Sequence, residues 1–373
     1  MTDGGFEFGD VQRYDTFPKL LAENARRWPE AVAMREKEFG IWNVFTWAEC
    51  QRRVRLMALG MHKLGLKRGD VVALIGDNRP EWIWGELAAH AMGALSLGIY
   101  QDSLGEEVTF LLNIAEAKII VAEDEEQIDK LLELIDETPS VRRIVYCDAR
   151  GIRKYDDPRL IDISALYALG AEVDAATPQL YDDELSAGLG SDVAVLCTTS
   201  GTTARPKLSM LQAGPFLDHC LAYLRRDPKQ AGDNYVSVLP LPWIMEQVYA
   251  VAQALISRIT VNFVETQETM MADLREIGPS FVLLAPRSWE SIAADVRSRM
   301  MDASRLKRAM FALGMKLGMR ALDAGRRSAL AEAVLFRALK DRLGFTYLKS
   351  AATGGAALGP DTFRFFLAMG VPL

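Results

Sequence analysis

The 373 residues carry 43 Lys and Arg against 50 Asp and Glu, a formal net charge of −7, and half of them are hydrophobic. That is enough chain to bury a large core and to divide into two or more lobes, in an ordinary globular composition. The acidic balance argues against general nucleic-acid binding, so no nucleic-acid partner is expected.

The apolar periodicity predicts helices near 17–28 and 46–65, with strand-like alternation over Ala31–Phe45 between them. Thr46 followed by Trp47-Ala48-Glu49 reads as a capping box for the second helix. A strand–helix rhythm then begins: strands at Val71–Ile75, Leu95–Ile99, Lys118–Ala122 and Arg143–Cys147, with helices at Pro80–Met92, Leu104–Ala115 and Glu125–Glu137 between them. Strands alternating with helices of this length imply right-handed crossovers and a parallel sheet. No G-x-G-x-x-G occurs in this first lobe, which disfavours dinucleotide binding. Residues 148–190 are rich in Asp, Gly and Ala with weak periodicity, and they read as a linker or lobe-crossing segment. The expected division is therefore 1–190 and 191–373.

The second lobe opens with a strand at Val193–Cys197 and resumes the alternation. Further strands are expected at Tyr235–Leu239, Ile259–Val264, Phe281–Leu284 and Thr346–Lys349, and helices near 214–225, 243–257 and 268–276. Residues 287–343 break the rhythm with long helical patterns, and Asp361–Met369 reads as a last helix. Four scattered cysteines and three histidines show no metal-ligand spacing, which predicts reduced, packed thiols and no structural zinc. The start, MTDGGFEFGD, has no apolar core segment, and no run of eighteen apolar residues occurs. A cytoplasmic protein without a membrane-spanning helix is expected.

The strand at 193 runs into Thr198–Lys207, TTSGTTARPK, where Thr199, Ser200, Thr202 and Thr203 surround Gly201. Gly201 allows a tight turn, so backbone N–H groups and hydroxyls can face one concavity with Lys207 at its rim, a site for a polyphosphate. It is not a Walker A loop, because Pro206 rather than Gly precedes the lysine. A Ser/Thr-rich surface turn is the simpler alternative.

This stretch resembles the signature loop of acyl-adenylate-forming enzymes, [YF]-T-S-G-T-T-G-x-P-K-G. Thr199, Ser200, Gly201, Thr202, Thr203, Pro206 and Lys207 match it, while Thr198, Ala204 and Leu208 depart from it. The likeness extends over nearly the whole chain and is strongest to long-chain fatty acyl-CoA synthetases. It implies an α/β fold of two Rossmann-like lobes, with mostly parallel sheets flanked by helices. It further implies ATP, Mg2+ and coenzyme A as cofactors or substrates, a fatty acid as the acyl donor, and a phosphate grip by the matched loop.

Three more segments take meaning from the same resemblance. Asn78-Arg79-Pro80-Glu81-Trp82 matches a first-lobe turn, although Trp82, Trp84 and Tyr100 also read as plain core packing. Leu239-Pro240-Leu241-Pro242-Trp243 resembles a segment beside the carboxylate pocket, with Trp243 in place of a histidine. Its indole would either cover the mouth of an apolar tunnel or stack, buried, on the sheet. Gly354, Gly355 and Ala356 match the loop that borders the nucleotide and acyl group. Arg287 and Glu290, at i and i+3, read as a local ion pair.

Residues 291–344 hold twelve basic and five acidic side chains, and Leu306, Met310, Leu313 and Leu317 give a helical stripe. Such a segment either touches an anionic bilayer peripherally or is a solvated face over a packed stripe. The family's Y-G-x-T-E segment and mobile C-terminal domain would follow Leu373, so the chain is expected to be an incomplete, inactive piece of a fatty acid–CoA ligase. Ligases for aryl or medium-chain acids and a non-catalytic nucleotide- or acyl-binding module are the alternatives.

Overall fold

The computed structural model describes residues 6–199 and 206–373. β1 (Val32–Glu38) and β2 (Ile41–Thr46) take the alternating segment between the helices Phe17–Arg27 and Trp47–Lys63. Thr46 caps the second helix, its side chain accepting from the Glu49 N–H at 3.2 Å.

β3 (Val71–Ile75) is buried at every position and pairs in parallel with β4 (Leu95–Ile99) on one side and β5 (Ile119–Ala122) on the other. A strand covered on both faces needs no polar alternation, which is why these segments are unbroken runs of aliphatic residues. β6 (Arg143–Tyr146) and β7 (Leu160–Asp162) extend the sheet beyond β5. On the other flank β8 (Val193–Thr199) pairs in parallel with β4, and β9 (Lys207–Gln212) returns antiparallel along β8. The order is β7-β6-β5-β3-β4-β8-β9.

β8 therefore completes the first sheet, where the sequence has it opening a second lobe. The chain forms two compact units: Met1–Arg35 with Asn43–Ala231 and Pro240–Ile259, and Glu36–Trp42 with Gly232–Leu239 and Thr260–Leu373.

Residues 148–190, read from sequence as a linker, fold into β7 and the helices Ile163–Ala176 and Leu180–Ala187. The first of these helices meets Trp47–Lys63 backbone to backbone. A Cβ on Gly170 would fall 2.0 Å from the Leu56 carbonyl oxygen, and one on Gly60 2.4 Å from that of Leu166. Helices joined through glycine bury few large side chains, so the apolar stripe that normally announces a helix is missing.

In the second unit β10 (Asn234–Ser237), β11 (Thr260–Phe263), β12 (Phe281–Leu284) and β13 (Ser350–Thr353) run parallel in the order β13-β12-β10-β11. β13 starts later than the expected Thr346–Lys349. Phe345 turns into the core against Trp289, Tyr347 stays exposed, and pairing begins at Phe281–Ser350. The rest of 286–343 is helical: Pro286–Met301, Arg305–Asp323, and a last helix through Ala329–Ala331, Glu332–Phe336 and Arg337–Leu343. Among the described residues no helix is long and apolar enough to cross a membrane.

Candidate functional site

Thr199 and Lys207 face each other as the last paired residues of the β8–β9 hairpin. The Thr199 hydroxyl donates to the Lys207 carbonyl at 3.4 Å, and both residues are exposed. Ser200, Gly201, Thr202 and Thr203, the centre of the expected phosphate loop, lie outside the described residues. Its frame is described: a buried strand arrives at the carboxyl edge of a parallel sheet, and the chain returns on an edge strand. β9 was not expected from its sequence. Covered on one flank only, it needs no apolar run and leaves Met210 69% exposed.

The Pro240–Trp243 part of the expected Leu239–Trp243 segment crosses the carboxyl ends of three strands in the first unit. Its Leu241 N–H donates to Asn78 Oδ1, just past β3, at 3.0 Å. The Pro242 carbonyl lies 3.9 Å from Cys197 Sγ in β8. In β4, a Cβ on Gly98 would fall 2.8 Å from Pro242 Cα, so only glycine lets the turn sit so low. Trp243 donates its N–H to the Pro240 carbonyl at 2.9 Å, and its own carbonyl accepts from Glu246 and Gln247. It thus opens the next helix with its side chain half-buried, on the same strand ends as Thr199.

A buried polar chain supports this turn. Glu86, in the helix Pro80–Ala91, accepts from Ser96 Oγ of β4 at 2.9 Å. His90 Nε2 lies 3.0 Å from the Ala194 carbonyl; that oxygen can only accept, so Nε2 carries the proton. Burial holds His90 down at about 4, so it is neutral at pH 7. Burial also pushes the Glu86 carboxyl up to about 7, although Ser96 and Gln247 are close enough to oppose it. Gln247 in turn donates to the Leu241 carbonyl at 2.9 Å. It begins a π-helical stretch, Gln247–Gln253, buried throughout, a widening frequent at functional sites. Sequence reasoning passed over Glu86 and His90. Their signal was two titratable residues four apart in a helix whose only other charged residue is Glu81 in its first turn.

In open α/β sheets the usual ligand crevice lies where strand order reverses, here between β3 and β5. That crevice is filled. Arg79 and Glu123 pair across it, and the Asp77 N–H donates to Glu123 Oε2 at 2.5 Å. The space left, about 10 Å3, holds at most a water. Burial raises the Glu123 carboxyl, with Arg79 opposing. That leaves the ends of β8 and β9, at Thr199 and Lys207, as the candidate site on the carboxyl edge of this unit.

In the second unit, Gly354, Gly355 and Ala356 follow β13. Gly355 has a φ of +88°, a left-handed conformation that favours glycine, and both it and Ala356 are exposed while Gly354 is half-buried. Behind the loop, Trp289 is fully buried and its Nε1 donates to the Ala352 carbonyl at 3.3 Å. Arg287 and Glu290 do not form the expected ion pair; both are exposed in the first turn of their helix, where water competes for each charge. Among the described residues no three His, Cys, Asp or Glu side chains converge on one point.

The basic helix Arg305–Asp323 packs through Gly314, Gly318 and Ala321, and leaves Leu306, Met310 and Leu313 exposed. Its stripe thus faces outward, and only Leu317 is partly buried against the core.

Residues 21–372 match the family described as AMP-binding enzyme. The long-chain-fatty-acid–CoA ligase FadD15 of Mycobacterium bovis is 27% identical over 375 residues, covering 97% of this chain and 60% of that protein. The long-chain-fatty-acid–CoA ligase ACSBG2 of Rattus norvegicus is 26% identical over 380 residues, covering 96% and 55%. The chain thus spans 55–60% of the length of these curated relatives. The solved structure of the anthranilate CoA ligase AuaEII with anthranoyl-AMP shares the fold, with a TM-score of 0.70 at 13% identity over 98% of this chain and 60% of that one. So does that of the luciferase-like enzyme of the mealworm Zophobas morio, with a TM-score of 0.69 at 14% identity over 99% and 72%. With the matched region running through both units, the chain belongs to the AMP-binding enzyme family.

Proposed function

We propose that the intact protein activates a long-chain fatty acid with ATP and passes the acyl group to coenzyme A. The observation that carries this reading is the exposed Thr199–Lys207 mouth at the carboxyl edge of the first sheet, with the Trp243 turn seated on the adjoining strand ends. The printed names of the relatives, long-chain-fatty-acid–CoA ligases, favour a long acyl chain.

In this reading a carboxylate oxygen attacks the α-phosphorus of ATP and the bond to pyrophosphate breaks. The coenzyme A thiol then attacks the acyl carbon, losing its proton, and AMP leaves. Such chemistry asks the protein for charge stabilisation and alignment rather than a covalent group. Thr199, Ser200, Gly201, Thr202, Thr203 and Lys207 would hold the phosphates. Gly354, Gly355 and Ala356 would border nucleotide and acyl group, and Trp243 the acyl entrance. Magnesium is expected from the family, and no step here runs through it.

The test, made on the intact protein, is ATP–pyrophosphate exchange with hexadecanoate, together with calorimetric ATP titration. Lys207→Ala is expected to lower exchange and nucleotide affinity at least about tenfold, the equivalent of about 1.4 kcal/mol. Unchanged values in both assays would remove the phosphate-loop assignment.

A further inference from the structure

The helices at 270–343 enclose a cleft of about 600 Å3 in the second unit. That falls in the range of about 300–1,000 Å3 typical of small-molecule sites. Its floor is apolar and buried: Val296, Leu335, Leu339 and Leu343 are each under 10% exposed. The last three sit at helical spacing on one face, which also carries Arg342 at the rim.

The cleft exists because of how one wall is held. The helix Arg305–Asp323 is pulled in through glycine: a Cβ on Gly314 would lie 2.6 Å from Leu335 Cδ2, and one on Gly318 2.5 Å from Phe336 Cζ. Its first turns carry no buried residue, so Lys307 and Met310 line the opening instead of filling it.

The rim is cationic. Arg275, Arg299, Lys307 and Arg342 line it, against Asp295 alone. Asp295 is engaged with Arg299 at 2.8 Å, and the nearby Glu276 is held by Lys37 at 2.7 Å and Trp42 at 3.0 Å. Among the described residues Arg275, Lys307 and Arg342 have no acid within ion-pair distance. An apolar floor under uncompensated cations is complementary to an alkyl chain under an anionic head.

We propose that this cleft binds a single-chain anionic amphiphile, a fatty acid or an alkyl phosphate, at a site separate from the phosphate loop and the Trp243 turn. The inference goes beyond the ligase reading and stands or falls without it.

The test is calorimetric titration of the protein with dodecyl phosphate below its micelle concentration. Saturable binding at one site per chain is expected, and each methylene added from the decyl homologue should tighten it about fourfold, the transfer value for a buried CH2. Ala338→Trp, at an exposed lining position, should fill the cleft without disturbing the core and weaken binding at least tenfold. Arg275→Ala with Arg342→Ala should weaken dodecyl phosphate about fivefold and leave dodecanol unchanged. Dodecanoate binding as tightly as the phosphate would identify a carboxylate head, and phosphate binding tighter would identify a phosphorylated one; either supports the site. Binding unmoved by Ala338→Trp overturns the proposal. If Trp243→Ala weakens the same probe while Ala338→Trp does not, the amphiphile sits in the proposed acyl site, which overturns this inference and leaves the ligase reading standing. Binding to dioleoylphosphatidylglycerol vesicles with no saturable binding of monomer would make the face a membrane surface and overturn it as well.

Discussion

The carboxyl edge of the first unit and the helical layer of the second are built by opposite means. At the first, a turn is pinned over strand ends by directional groups: Asn78 on the Leu241 N–H, Gln247 on its carbonyl, and Glu86 and Ser96 buried beneath. In the second, the helix Arg305–Asp323 approaches its neighbours through Gly314 and Gly318, and its own buried residues, Gly314, Gly318 and Ala321, carry no polar side chain. A buried polar group fixes a position and makes it sensitive to protonation. Close packing through glycine fixes only the points that touch, and a helix held at one end leaves a cleft at the other. The first arrangement suits alignment of reacting groups, and the second suits storage of a shape.

The largest effect that separates the two regions is a pH effect at Glu86. Its carboxyl titrates near 7 in the folded protein against an ordinary 4.5, because burial penalises the charged form. The folded state therefore holds this proton more tightly than the unfolded chain. Its contribution is fully present below the ordinary value and is lost as the pH rises through about 7. The span between the two values corresponds to about 3 kcal/mol. Glu86→Gln keeps the shape and removes the titration. Urea unfolding of wild type and variant from pH 4 to 8 should show the variant gaining by about that amount at the alkaline end. Parallel curves would mean that Glu86 is solvated or paired, and that the turn is not seated on a buried acid.

Gly318→Ala should act on the second region with a smaller and pH-independent loss. The added methyl would stand 2.5 Å from Phe336 Cζ and 3.1 Å from the Ala368 carbonyl oxygen, so the ring must shift. Overpacking of this kind costs about 1–3 kcal/mol, and the gain in helix propensity of about 1 kcal/mol offsets part of it. A net loss of up to about 2 kcal/mol is expected at both pH 5 and pH 8. A stabilised variant would show that the helices do not meet at Gly318.

How much of this was legible in the sequence follows from the same contrast. Strands buried on both faces, such as Val71–Ile75, carry their signal in their own residues, and the sequence places them within a residue or two. The Thr198–Lys207 motif was legible as a pattern, and the structure describes the β8 and β9 strands that flank it. Packing that runs through absent side chains was not legible. Ile163–Ala176 meets its neighbour at Gly60 and Gly170, and so reads as a linker. The Glu86–Ser96–Gln247 arrangement was missed for a different reason: Gln247 lies far beyond Glu86 and Ser96 in the chain, and no local pattern relates it to them. Likewise the apolar stripe at 306–317 was plain in the sequence, but which way it faced depended on Gly314 and Gly318.

The smallest effect is also the sharpest check on that last point. Leu313 and Gly314 are neighbours on one helix, yet Leu313 is 49% exposed and Gly314 is buried against Leu335. If the helix sits on its glycine face, Leu313→Ser removes little that folding has buried, and surface changes of this kind fall within about 0.5 kcal/mol. Urea denaturation of Leu313→Ser should therefore superimpose on wild type within that margin, while Gly318→Ala, one turn away, shifts measurably. The reverse ranking, with Leu313→Ser costing more than about 1 kcal/mol and Gly318→Ala nothing, would mean that the leucine stripe faces the core. The wall of the cleft would then be filled by Leu306, Met310 and Leu313 themselves, leaving no room beneath Arg275 and Arg342 for an alkyl chain.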